Sequence, residues 1–218
     1  QNTIIMPNTG INPTGFAGGI YAANSLGVTI LRNRITRPTV GATASVPTYG
    51  IYLDASRNAG VRYNDIYAVG NESSGEHAYG LYLTNTSNGA AVSHNQIVMK
   101  TGALSSFTYG IYVANLANDP PGSSDYNDIH NVAGGAGTSY TGYWSSGQST
   151  LANWQGASGL DANSLAVNPL WVSTAAASVD FHVRSQAGRW NGAAWVTTDG
   201  TTSPTIDAGD PTADYSLE

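Results

Sequence analysis

The sequence contains no cysteine, which excludes disulfides, thiolate metal sites and cysteine nucleophiles without fixing a redox compartment. Charge is scarce as well. Asp, Glu, Lys and Arg together make up 10% of the 218 residues, against the roughly 25% of an ordinary soluble domain. With 8 basic residues against 14 acidic ones and Lys100 as the single lysine, no basic face can be assembled for phosphate, so nucleic acid is not an expected partner. No apolar run approaches the length that spans a bilayer, and no basic-then-apolar leader opens the chain, so neither a membrane span nor an uncleaved export signal is expected. What fills the space is Gly, Ala, Ser, Thr and Asn. Hydrophobic residues nevertheless reach 41%, enough to offset the entropy of ordering a core.

Two phrases recur in one phase. The first is Gly18-Gly19-Ile20-Tyr21, Tyr49-Gly50-Ile51-Tyr52, Tyr79-Gly80-Leu81-Tyr82 and Tyr109-Gly110-Ile111-Tyr112, with a weaker copy at Thr141-Gly142-Tyr143-Trp144. Its glycines Gly19, Gly50, Gly80, Gly110 and Gly142 lie 31, 30, 30 and 32 residues apart. The second is Asn-x-Ile at Asn33, Asn64, Asn95 and Asn127, spaced 31, 31 and 32. Asn2-Thr3-Ile4 is a further copy 31 residues before Asn33, so Gln1 is expected to begin partway round a coil of a longer parent chain.

A fixed period of this length marks a stacked repeat. Alternation around each glycine, with Tyr49, Ile51 and Leu53 set against Gly50, Tyr52 and Asp54, is the period-two pattern of a strand with one buried face. The density of Gly, Asn, Thr and β-branched residues disfavours helix. Each coil is therefore expected to carry at least two short strands.

These phrases resemble the repeats of right-handed parallel β-helix proteins from about Asn2 to Ile129. The tail resembles the closing segment of secreted and surface-anchored bacterial members of that group. It reads Asn168-Pro169-Leu170-Trp171-Val172, then Asp180-Phe181-His182-Val183, then Ser203-Pro204-Thr205-Ile206-Asp207-Ala208-Gly209-Asp210. The resemblance implies an all-β fold, a right-handed parallel β-helix of about five or six coils of 30 to 32 residues, and an extracellular or cell-surface location. In that group a glycine-rich stretch follows, so the chain is expected to be a piece cut at both ends. Residues 1–150 are expected to form the repeats, and 151–218 a degenerate final coil and cap in the same domain, with Trp154, Trp171, Trp190 and Trp195 packed to close one end.

The asparagines are expected to stack as a structural ladder along the solenoid. If Ile20, Ile51, Leu81 and Ile111 face inward, then Tyr21, Tyr52, Tyr82, Tyr112 and Trp144 form an outward aromatic column suited to the apolar faces of sugar rings, or simply stacked on itself. A catalytic alternative follows from the polysaccharide lyases and hydrolases that use this fold. The column after asparagine reads Arg34, Asp65, Gln96, Asp128, and two stacking steps separate its carboxylates by about 9.6 Å, within the range of inverting hydrolases. An Arg34–Asp65 ion pair beside a solvated Asp128 explains the column equally well. Neither the contiguous aspartates of polygalacturonases nor the histidine-bearing signatures of alginate epimerases occur. Glu72, Glu76 and His77 crowd one loop, where a carboxylate and an imidazole could share acid–base work or simply face solvent. His94 and His130 have no partner at ligand spacing and read as surface residues. Asp207, Asp210 and Asp214 place three carboxylates in eight residues, a candidate calcium site or a set of turn caps; no other cofactor is implied.

The expected function is a non-catalytic extracellular module that offers its aromatic column to polysaccharide or serves as a rigid spacer. Beside it stand a truncated polysaccharide lyase or hydrolase, and a self-assembling subunit that pairs with neighbouring copies or domains through an open coil edge.

Overall fold

The computed structural model describes residues 2–5, 17–37, 47–69, 76–102, 106–132, 134–175 and 178–213. Its strands come in threes. After β1 (Asn2–Ile5) the chain runs through β2 (Ala17–Ala23), β3 (Thr29–Leu31) and β4 (Asn33–Arg37). The set repeats as β5 (Thr48–Asp54), β6 (Gly60–Arg62) and β7 (Asp65–Val69), as β8 (Ala78–Thr84), β9 (Ala91–Ser93) and β10 (Gln96–Lys100), and as β11 (Phe107–Val113), β12 (Ser123–Asp125) and β13 (Asp128–Val132). Each strand pairs in parallel with its counterpart one coil away. The sheets are β2-β5-β8-β11 continued by β14 (Thr138–Trp144), then β3-β6-β9-β12, and β1-β4-β7-β10-β13. The fold is thus an all-β parallel solenoid. Four coils are complete among the described residues, with β1 before them and β14 after, rather than five or six, and each carries three strands.

Register comes from the asparagines. Asn33 Nδ2 donates to Asn64 Oδ1 (3.0 Å), Asn64 Nδ2 to Asn95 Oδ1 (2.9 Å) and Asn95 Nδ2 to Asn127 Oδ1 (3.0 Å). Each accepting oxygen also takes the backbone N–H of the preceding rung, all three at 3.0 Å. The second amide hydrogen reaches carbonyl oxygens, as from Asn95 Nδ2 to Val61 O and Ser93 O. All four asparagines are buried, so these bonds satisfy amide groups largely shielded from water. Asn2 is in register with Asn33, but its side chain falls outside the described ones. The ladder ends on a carboxylate. Asp161 Oδ1 accepts from Asn127 Nδ2 (2.9 Å) and from Ser164 Oγ (2.6 Å), and Oδ2 accepts from Trp154 Nε1 (2.7 Å). A shorter buried ladder at another corner, Ser56 N to Ser87 Oγ and Ser87 N to Asp119 Oδ1, also ends on an acid. The residue before each asparagine turns the corner with a positive φ: Arg32 (55°), Tyr63 (55°), His94 (56°) and Tyr126 (55°). None is a glycine, so the ladder holds strain of about 1 kcal/mol or more at each corner.

The interior is a column of aliphatics, with Ile35, Ile51, Leu53, Ile66, Leu81, Leu83, Ile97, Ile111 and Ile129 all fully buried. The glycines of the first phrase also face inward, against simple alternation. A Cβ on Gly50 would lie 2.5 Å from Ile66 Cγ2 and 2.6 Å from Gly80 O. Only a residue without a side chain fits there, and because Ile51 is buried as well, two consecutive residues face the interior and the alternation is interrupted. Tyr49, Tyr79 and Tyr109, placed on the buried face by the alternation, consequently emerge beside Tyr52, Tyr82 and Tyr112.

At one end β15 (Ser146–Gln148) folds back antiparallel on β14, and α1 (Leu151–Ser158) plugs the interior with the fully buried Trp154. Thr150 Oγ1 caps α1 by accepting from Asn153 N, and Gly159 ends it with a φ of 71°. Residues 161–165 then stack on the last coil, with Asp161 N donating to Ser124 O, Leu165 N to Asn127 O and Ile129 N to Leu165 O, and the chain turns back from there. It returns along the outer face of the β1-β4-β7-β10-β13 sheet, where Trp171 and Phe181 pack on Tyr67 and Val98. Its strands are β16 (Trp171–Ser173) paired with β17 (Asp180–Val183), and β18 (Arg189–Trp190) paired with β19 (Trp195–Val196). Of the four tryptophans assigned to a packed cap, Trp154 and Trp171 are buried; Trp190 and Trp195 are 52% and 61% exposed on a short hairpin.

Asn95→Ala is expected to cost about 3 kcal/mol in urea unfolding, because it strands buried groups on two coils. Exposed Asn118→Ala is expected to stay within about 0.5 kcal/mol.

Candidate functional site

Coil stacking converts the first phrase into a two-column tyrosine face. One column runs Tyr21–Tyr52 (5.1 Å between ring centroids), Tyr52–Tyr82 (5.0 Å), Tyr82–Tyr112 (5.0 Å) and Tyr112–Tyr143 (4.4 Å). The other runs Tyr49–Tyr79 (5.0 Å), Tyr79–Tyr109 (5.6 Å) and Tyr109–Tyr140 (5.2 Å) in parallel-stacked rings. Cross-contacts at 4.7–5.0 Å lock the columns together. In the second column Tyr49, Tyr79 and Tyr109 are buried and Tyr140 is partly buried, the first column is half-buried, and Tyr21 is 49% exposed with its hydroxyl donating to Asp54 Oδ2 (2.6 Å). Burial pushes the phenols of Tyr49 and Tyr79 far above their ordinary range and that of Tyr109 to about 12, so these rings stay neutral at any physiological pH.

Trp144 is not in the column. Tyr112 pairs with Tyr143, and Gly142 stands opposite Ile111 rather than Gly110, so the last copy is shifted by one position. Trp144 then points to the core, edge-on to Trp154 at 5.8 Å, and Gly142 leaves the space that the Trp154 ring fills. Of the acidic loop, Glu72 lies outside the described residues. Glu76 stands near enough to Tyr49 to raise its phenol, and His77 Nδ1 accepts from Phe107 N (3.3 Å), with its ring 5.0 Å from that of Phe107. Both border the tyrosine face.

The carboxylate column is in register as Arg34, Asp65, Gln96 and Asp128. Arg34 Nε lies 3.6 Å from Asp65 Oδ2, and burial pushes the Asp65 carboxyl upward against the opposing pull of that guanidinium. Asp128 is not the solvated carboxylate of the simple ion-pair reading. It is 4% exposed, Oδ1 accepts from Val167 N (2.9 Å), and Oδ2 has no hydrogen-bond partner among the described residues. Burial raises it to about 7, with the Val167 bond acting in the other direction. Between the two acids, Gln96 Oε1 accepts from Trp171 Nε1 (2.7 Å) and Gln96 Nε2 donates to Thr205 Oγ1 (3.1 Å). The return segment therefore roofs the column. His130, on the same strand as Asp128, is half-buried and its imidazole is pushed down by burial.

In the tail, Asp210 Oδ1 accepts from Thr212 N (2.8 Å) and Oγ1 (2.7 Å), which hold its carboxyl below the usual range. Its own N–H donates to His94 Nε2 (3.1 Å), docking the tail on the solenoid corner, so His94 is part of a packed seam. Asp207 is exposed, with a φ of 59°, and Asp214 lies outside the described residues. Among the described residues no three His, Asp or Glu side chains group as a metal site, and no helix is long and apolar enough to cross a membrane. Comparison with protein-family models, curated proteins and solved structures gives no match.

A carboxyl raised on folding binds more protons in the folded state, so its stability contribution is full below about pH 4 and is lost as pH rises through about 7. Relative to the parent, Asp128→Asn is therefore expected to gain thermal stability between about pH 4 and about pH 7 and to change no further above that range. A difference independent of pH would show that Asp128 is not buried as described.

Proposed function

We propose that this chain is a non-catalytic, extracellular β-helix module of a secreted or surface-anchored bacterial protein, and that it binds glycan on its tyrosine face. The observation that carries the reading is the pair of interlocked tyrosine columns. A solenoid holds ring after ring at one spacing, so a polymer with a regular repeat meets a surface that needs no ordering on binding. The half-buried outer rings offer apolar faces and hydroxyl tips, the combination that sugar rings use. Neutral phenols and few charges favour neutral polysaccharides. The tail phrases ending in Ser203-Pro204-Thr205-Ile206-Asp207-Ala208-Gly209-Asp210 support the extracellular assignment by resemblance.

The enzyme alternative is weaker because Trp171 and Thr205 stand over Gln96, between the two candidate carboxylates. Self-assembly has one observation in its favour. Among the described residues β2 and β3 are terminal strands of their sheets, with Ile20, Val28 and Ile30 lining an open depression beside them, whereas the opposite end is covered by β15 and α1. Concentration-dependent sedimentation would support it.

Affinity electrophoresis against neutral and acidic polysaccharides, with and without calcium, tests the main reading. Retardation by a neutral polymer is expected, weakened about tenfold in Tyr52→Ala or Tyr82→Ala. Tyr52→Phe and Tyr112→Phe, which keep the rings, are expected to weaken it less. Equal retardation of all variants would remove the tyrosine face from the account. Release of reducing ends or unsaturated products, abolished by Asp65→Asn or Asp128→Asn, would replace the module with an enzyme.

A further inference from the structure

The return segment does not seal against the solenoid along its whole length. Between the asparagine corner and residues Thr205–Gly209 it leaves a cavity of about 290 Å³, near the lower end of the range of small-ligand sites. One wall is the column that the left-handed corners create: Tyr63, His94 and Tyr126, with ring centroids 4.8 and 5.6 Å apart and planes 19° and 8° from parallel. The opposite wall is the tail, held in place by the Asp210 N–H bond to His94 Nε2 and the Gln96 bond to Thr205. In that bond the His94 ring acts as acceptor through Nε2. Asp128, buried, and Asp207, exposed, both line the space, at its floor and rim, and among the described residues no lysine or arginine lines it.

We propose that this cavity is a binding site for a compact ligand carrying an ammonium group, drawn in by the carboxylates of Asp207 and Asp128 and flanked by the rings of Tyr63 and Tyr126. Aromatic walls with an acidic floor and no cationic side chain favour a positive guest over an anion or a neutral one. An organic cation fits better than a metal ion, since no three ligating side chains converge among the described residues. Asp128 Oδ2 is closed to solvent as well as unpartnered, so Asp128 acts through its charge, and Asp207 at the exposed rim is the direct acceptor. This site lies on a different face from the tyrosine columns and stands independently of the glycan reading.

The charge at the floor links binding to protons. Burial holds the Asp128 carboxyl near 7, and a cation beside it favours the ionised form, so affinity rises as pH passes through that value. The other titratable groups facing the cavity are Tyr63, His94, Tyr126 and Asp207, with Asp210 beside His94. The Asp128 variant isolates the part of the pH dependence that belongs to Asp128.

Calorimetric titration of the whole chain at low salt with glucosamine, ethylammonium and glucose tests the proposal. Glucosamine and ethylammonium are expected to bind and glucose not to; tighter binding of glucosamine than of ethylammonium would assign the ammonium to an amino sugar, and equal binding to a free amine. Asp207→Asn, at an exposed rim position, is expected to weaken binding about tenfold. Asp128→Asn is expected to weaken it similarly and to abolish its rise with pH, while Tyr82→Ala leaves it unchanged. Glucose binding as well as glucosamine, failure of both amines to bind, or undiminished binding in Asp207→Asn and Asp128→Asn would each overturn the proposal.

Discussion

The structure depends on the buried amide ladder through Asn33, Asn64, Asn95 and Asn127. Parallel coils bonded only by backbone could slip relative to one another. A side chain that must meet its equivalent one coil away admits a single register, because any slip would leave two buried polar groups unsatisfied per rung. Asp161 terminates the ladder where an asparagine would need a further coil to accept its amide hydrogens. An acceptor-only carboxylate takes bonds from Asn127, Ser164 and Trp154 and asks for none, and the tryptophan it orients plugs the core.

The same register produces both surface features. It holds the residue before each asparagine in the left-handed region, which is how Tyr63, His94 and Tyr126 come to be stacked beside the return segment. It also sets tyrosine over tyrosine along the β2-β5-β8-β11-β14 sheet. The inward glycines matter here as much as the rings. With Gly50, Gly80 and Gly110 pressed against the next strand's carbonyl oxygen and an isoleucine methyl, two consecutive residues face inward, the alternation is interrupted and one tyrosine column becomes two. Scarcity of charge fits this design, since hydroxyls and amides can stack in identical columns whereas like charges one coil apart would repel.

The repeat, its period, the asparagine ladder and the outward Tyr52, Tyr82 and Tyr112 were legible in the sequence because each depends on identity at a fixed spacing. The inward-facing glycine was not, because alternation assigns faces by counting and a position that only glycine can occupy breaks the count. The Trp144 error has the same origin: Gly142 matches the phrase in letters but occupies the place of an isoleucine, its partner being the Trp154 ring. The path of the return segment was hidden for a different reason. Its placement rests on single tertiary contacts, such as Trp171 to Gln96, 75 positions apart, and Asp210 to His94, 116 apart, which leave no periodic trace. Its arrival turned Asp128 from a candidate solvated acid into a buried one.

In the proposed function the tyrosine face is the surface that meets glycan. Selective isotope labelling of tyrosine, followed by NMR on addition of a neutral oligosaccharide, tests it without any substitution. Resonances of Tyr21, Tyr52, Tyr82, Tyr112 and Tyr143 are expected to shift together and saturate at one ligand concentration, with Tyr63, Tyr67 and Tyr126 unmoved. Shifts confined to Tyr63 and Tyr126, or no shift with any oligosaccharide that the chain retains, would contradict it.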